Sequence, residues 1–152
     1  MPQVDTGRFT VAVFQDANWA EKGIDALKRQ GFVPASLTVL VKQTPEAAAL
    51  IERVLGGKPL RMELPALGPV LAHGPLVAAL EGVNRDLGRV GVAAAMKRVG
   101  FQAHDGRIFE TLAGRGGVLV AVHSEPRAAD ALATLHNYGG GNAAIGAWTG
   151  RL

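Results

Sequence analysis

The chain is expected to fold as an α/β (α+β) protein, a ferredoxin-like sandwich of two βαβ halves sharing one sheet, with a mostly helical insertion between them. Three observations carry this. Residues 8–43 read as strand, helix, strand; the same order returns over 117–148; and the 70 or so residues between them, 44–113, are too many for a bare loop and must carry structure of their own. At 152 residues the whole fits one domain whose core needs no staples.

"RFTVAVFQD" opens the first half, apolar on both alternating faces as an interior strand is. Asn18 and Glu21 form a capping box for a helix whose inner stripe is Ala20, Ile24 and Leu27, ending at Gly31. "SLTVLVKQ", 36–43, is the second strand. A crossover of about 20 residues between them suits parallel strands.

The insertion begins at Thr44, an N-cap followed by Pro45, with Ala47, Leu50, Ile51 and Val54 on one face before Gly56-Gly57. "LRMEL" and "PVLAH" read as a short pair of edge strands with Pro65 and Gly68 in the turn. Three short helices follow: "GPLVAALEG", "LGRVGVAAAMKRVG" and "DGRIFETLAGRGG", the last capped by Asp105 with Ile108, Phe109 and Leu112 inward. In the second half "GVLVAVHS" is again apolar on both faces. Ser124 caps a helix carrying Ala128, Ala131, Leu132 and Leu135, and Gly139 to Gly141 end it before "NAAIGAW". Residues 8–14 and 117–123, the two segments apolar throughout, are expected side by side and antiparallel at the centre of the sheet.

Composition narrows the chemistry. There is no cysteine, which excludes disulfides, thiol nucleophiles and thiolate metal sites. No apolar run approaches the roughly 18–20 residues of a membrane span, and no N-terminal stretch has the form of a signal peptide, so the expectation is a cytoplasmic protein with no membrane partner. The net charge of +3 comes from interspersed charges. Lys28-Arg29 and Lys97-Arg98 read as solvated helix ends rather than a patch for nucleic acid. "GRGGVLVAVHSEP", 114–126, looks like a phosphate loop, but its glycines precede the strand, whereas a phosphate cradle needs them after it, at the helix start. Arg115-Gly116 also opens a segment placed like the aromatic octamer of RNA-recognition folds. Its stacking positions are Gly117, Leu119 and Val122, and offer bases nothing to stack on, so no specific nucleic-acid partner is expected.

"HGPLVAALEG", a small-residue helical run, "VGF" and then "RIFETLAGRGGVLVAVHSEPRAADALATLHNYG" together resemble the bacterial heat-induced general stress protein family. The matching pairs are Gly74-Pro75, Phe109-Glu110 and Gly116-Gly117. Charged residues Glu81, Arg85, Asp86 and Arg89 interrupt the family's glycine- and alanine-rich middle run, and 142–152 has no counterpart in its pattern. The resemblance implies a small bacterial cytoplasmic protein linked to stress, and it brings no catalytic residues with it.

The four histidines are His73, in a turn; His104, before an N-cap; His123, at the carboxyl end of a central strand; and His136, near a helix C-terminus. None has the spacing of a helix-borne metal site, so neither metal nor cofactor is expected. His104, Asp105, Glu110 and His123 are the candidate ligand-binding or acid/base residues, because open sheets place ligands at the strand ends where His123 stands. No Gly-x-Ser-x-Gly elbow exists for Ser36 or Ser124. The favoured expectation is a non-enzymatic stress-associated protein working through self-association or a protein partner. The alternatives are a small-ligand-binding regulatory domain, or an unrecognised enzyme using those four residues.

Counting faces adds one more expectation. Phe9, Val11, Val13, Val118, Val120 and Val122 are assigned to one side of the central strands, and Ala12, Phe14, Leu119 and Ala121 to the other. Two helices cover only one side of such a sheet, so a second subunit, giving a homodimer, or the inserted helices must cover the other.

Overall fold

The computed structural model describes residues 8–82, 85–99, 103–123, 128–137 and 148–151. Six strands form one sheet: β1 (Arg8–Phe14), β2 (Leu37–Lys42), β3 (Leu60–Leu64), β4 (Gly68–His73), β5 (Val118–His123) and β6 (Trp148–Arg151). Their order is β3-β4-β2-β5-β1-β6, and every neighbouring pair is antiparallel. β1, β2, β5 and β6 make the ferredoxin-like core of the sheet: β5 lies between the parallel pair β1 and β2, and β1 between the parallel pair β5 and β6. The β3–β4 hairpin extends it beside β2. The central pair is as expected, with Val11 opposite Ala121 and Val13 opposite Leu119.

The helices are α1 (Ala17–Arg29), α2 (Pro45–Leu55), α3 (Pro75–Glu81), α4 (Asp86–Val90), α5 (Val92–Val99), α6 (Ala103–Gly114) and α7 (Ala128–Asn137). α1, α2 and α7 bury Ala20, Ile24, Leu27, Ala47, Leu50, Ile51, Ala131 and Leu135 against one sheet face, formed by Ala12, Phe14, Leu37, Val39, Val41, Val118, Val120 and Val122. On the opposite face Phe9, Val11, Val13, Leu40, Leu119 and Ala121 meet Leu76, Leu80, Leu87, Met96 and Phe109 of α3–α6. Four of the inserted helices, α3–α6, therefore cover the second face, while α2 joins α1 and α7 on the first, and the sandwich has three layers. An uncovered sheet face is no longer a reason for a second subunit.

The cross-strand assignment of the central residues is corrected by the register. Alternation within a strand was right, but pairing Val11 with Ala121 and Ala12 with Val120 puts the three valines of β5 with Ala12 and Phe14. A one-residue change in register between two strands exchanges their faces, and nothing local to either strand sets it.

Several local expectations also shift. Asp16, not Asn18, caps α1, its Oδ1 accepting from the Trp19 N–H at 2.9 Å, and Glu21 is turned instead to Arg53 on α2. Thr44 caps α2 as expected, accepting from the Ala47 N–H at 3.0 Å. Of the expected edge pair only β3 lies at an edge of the sheet, and β4 is an interior strand. The middle helix of the insertion breaks in two at Gly91, whose φ of 93° favours glycine. α6 starts at Ala103, so Asp105 sits inside its first turn rather than before it. The final described strand is Trp148–Arg151; of the expected segment 142–148 only Trp148 lies among the described residues. The Ser124 cap and the Gly139 to Gly141 stop lie outside the described residues. No described helix is long and apolar enough to cross a membrane.

Candidate functional site

The four residues singled out from the sequence fall into different surroundings, and no hydrogen bond or ion pair joins any two of them among the described residues. Glu110 is engaged structurally: its Oε2 accepts from the Ala93 N–H at 3.3 Å, serving one of the orphan donors in the first turn of α5. His123 ends β5 as expected, but its ring lies on Phe9 of β1, centroids 5.0 Å apart and tilted by 37°. Its Nε2 is buried without a hydrogen-bond partner. His104 is exposed and Asp105 half-buried in the first turn of α6.

His104 does belong to a cavity. Together with Arg107, Ile108, Thr111, Leu112 and Arg115 it lines a space of about 420 Å³. Their spacings of three and four residues place the first five on one face of α6, and Arg115 follows directly at its C-terminal end, where its N–H still reaches the Thr111 carbonyl. Ile108 and Leu112 are half-buried and rest on the core beneath, whereas Arg107 and Arg115 are exposed. Neither guanidinium has a hydrogen bond or ion pair with a described residue. The result is an apolar strip with a cation toward each end. Arg107, Thr111 and Arg115 are unremarkable singly in the sequence; the parallel row 107, 111, 115, three residues on from 104, 108 and 112, is the signal that gathers them.

The remaining histidines and basic pairs are accounted for differently from expectation. His73 is the last residue of β4 rather than part of a turn, with Nδ1 buried and unpartnered and Nε2 so close to Gly57 that an added Cβ there would stand 2.5 Å away. The side chain of His136 lies outside the described residues. Lys28 is not merely solvated, since its Nζ donates to the Val54 carbonyl at 3.0 Å. Arg98 is likewise occupied: its Nε pairs with buried Asp86 at 2.6 Å, and its Nη2 donates to the Ala79 and Leu80 carbonyls at the end of α3. Among the described residues no three His, Asp or Glu side chains gather as a metal site. The sheet face on which RNA-recognition folds stack bases is buried here under helices on both sides.

Gly74-Pro75, Phe109-Glu110 and Gly116-Gly117, the pairs on which the resemblance rests, have structural work. Gly74 has φ 123°, and a Cβ there would stand 2.3 Å from the Leu37 carbonyl oxygen. Phe109 is fully buried, Glu110 binds α5, and a Cβ on Gly117 would meet Val13 at 2.7 Å and the Leu112 oxygen at 2.8 Å. Comparison with protein-family models, curated proteins and solved structures finds no match for this chain.

Proposed function

We propose that the protein is a non-enzymatic binding component, working through self-association and protein partners in the stress setting that its resemblance implies. The observation that carries this reading is the α6 face: an apolar floor of Ile108 and Leu112, with Arg107, Arg115 and His104 free to meet an acidic partner. A partner segment presenting an apolar stripe flanked by acidic side chains, as an amphipathic helix does, is the chemistry that complements it. Glu110 and His123, by contrast, are held in the packing of α5 and Phe9, which supports a binding role over an acid/base one.

The volume of the cavity supports a second reading, a small anionic ligand, because about 420 Å³ falls within the range of small-molecule sites. One titration separates the two. An acidic amphipathic helical peptide, inorganic phosphate and a nucleotide set are each added to labelled protein and followed by amide NMR. The expected result is that the peptide shifts α6 resonances and that an R107E/R115E variant weakens it at least tenfold. Shifts from phosphate or nucleotides alone establish the small-ligand reading instead. No response at α6 to any probe sinks both.

A further inference from the structure

β3 is the one strand of the hairpin side with a free edge among the described residues, and its sequence, Leu60-Arg61-Met62-Glu63-Leu64, is symmetric in size and antisymmetric in charge about Met62. We propose that two copies of the chain pair through this edge, antiparallel, with the two-fold axis at Met62.

The direction of the backbone groups supports that register. Pro69 of β4 stands opposite Glu63, and its carbonyl accepts from the Gln43 N–H at 3.1 Å, on the β2 side. In an antiparallel strand the N–H and C=O of one residue point the same way, so Pro69 turns away from β3, and Glu63 opposite Pro69 is a non-hydrogen-bonded pair. The main-chain groups of Glu63, and by alternation those of Arg61, therefore face the open edge. With the axis at Met62, Arg61 of each copy meets Glu63 of the other as a hydrogen-bonded pair. Each such pair exchanges two main-chain bonds, so the dimer gains four, and no outward donor or acceptor of these two residues is left over.

The side chains agree with the backbone. Arg61 and Glu63 are exposed, and neither has a hydrogen bond or ion pair with a described residue. In the pair each guanidinium lies across from the other copy's carboxylate, with Cα atoms about 5.5 Å apart, the arrangement in which opposite charges stabilise a ladder. Leu60, 54 % exposed, comes opposite Leu64 of the second copy, and α4, which packs on β3, brings a further exposed apolar residue in Val90. Pro59 and Pro65 bracket the strand and lack N–H groups, which confines the pairing to five residues and stops an open-ended ladder. Five residues a side is far below the 20–30 of a standard interface, so the dimer is reversible and concentration-dependent.

This inference rests on the self-association part of the reading above and leaves the α6 face untouched. Sedimentation from micromolar to millimolar protein is expected to show a shift from 15.8 kDa to twice that mass, weakening as salt is raised. R61E places two glutamates opposite two glutamates, and E63R places two arginines opposite two arginines. Each variant alone is expected to stay monomeric at concentrations where the parent is dimeric, with an unchanged circular dichroism spectrum and melting curve. Mixed, the two restore both opposite-charge pairs and should form a heterodimer, and the R61E/E63R double variant should recover the homodimer. A parent that remains monomeric throughout overturns the proposal. So does a dimer indifferent to both single variants, or single variants that fail to associate when mixed. Peptide binding at α6 is measured separately, so losing the dimer leaves that result intact.

Discussion

The Thr38 hydroxyl of β2 accepts a hydrogen bond from the Leu76 N–H of α3 at 3.0 Å, in a fully buried position. Residues 38 apart in sequence thereby solve one local problem. α3 starts with Gly74 and Pro75, neither of which has a side chain able to cap it, and the strand beneath supplies the acceptor. Gly74 lets the chain come this close, since any Cβ there would strike Leu37 and Thr38.

Thr38→Val keeps the shape and removes the acceptor. It should cost about 1–3 kcal/mol, the penalty for leaving a buried N–H unpaired, while Thr38→Ser should retain most of the stability. Equilibrium urea unfolding of the two variants checks this, and equal losses would show that packing rather than the hydrogen bond matters at this position.

Glu21 and Arg53 tie α1 to α2 through two contacts of 2.6 Å. The hydrogen bond from Arg53, with its charge, holds the Glu21 carboxyl below its ordinary value despite some desolvation. A carboxyl with a depressed folded-state value stabilises the fold above its unfolded value and loses that contribution as pH falls through the folded one. Glu21→Gln should therefore melt lower than the parent at neutral pH, and the two melting temperatures should converge as pH falls through the lowered Glu21 range. Because the pair is solvent-accessible the gap should be small and shrink with salt. A gap that persists in acid would remove the ion pair as its source.

Asp86 receives both Arg89 and Arg98, yet the two arginines are not equivalent. Arg89 is a neighbour three residues along α4 and largely exposed, whereas Arg98 also closes the carbonyl end of α3. Arg98→Ala should destabilise by about 2 kcal/mol, through lost charge-assisted bonds and an uncapped helix end, and Arg89→Ala by under about 1 kcal/mol. Chemical denaturation of both variants tests the order.

Gly116 and Gly117 adjoin in sequence but are required for different reasons. Gly116 has φ 98° with open space around it, so Gly116→Ala should cost about 1–2 kcal/mol in backbone strain. Gly117→Ala drives a methyl into Val13 and the Leu112 carbonyl, one of them backbone that cannot swing aside, and should cost more than Gly116→Ala. Melting temperatures ranking the other way would contradict this division.

Local pattern was enough to specify the secondary elements and the class of fold. Phe9 to Phe14 and Val118 to His123 are apolar on both faces, so they had to lie inside a sheet covered twice; Thr44-Pro45 and the spacing of Leu50, Ile51 and Val54 specify α2 without reference to anything distant. Tertiary structure decided whatever depended on two segments meeting. Register put Ala121 beside Val11, and the return of α3–α6 over the sheet settled what covers its second face. The same held for the candidate residues: Glu110 and His104 share a helix, yet one is drawn to the Ala93 N–H and the other to an open cavity, because α5 packs on one side of α6 and not on the other. Periodicity tells which residues share a face of their own element; what that face meets is fixed by contacts tens of residues away, whose alternatives differ only in how the whole core packs.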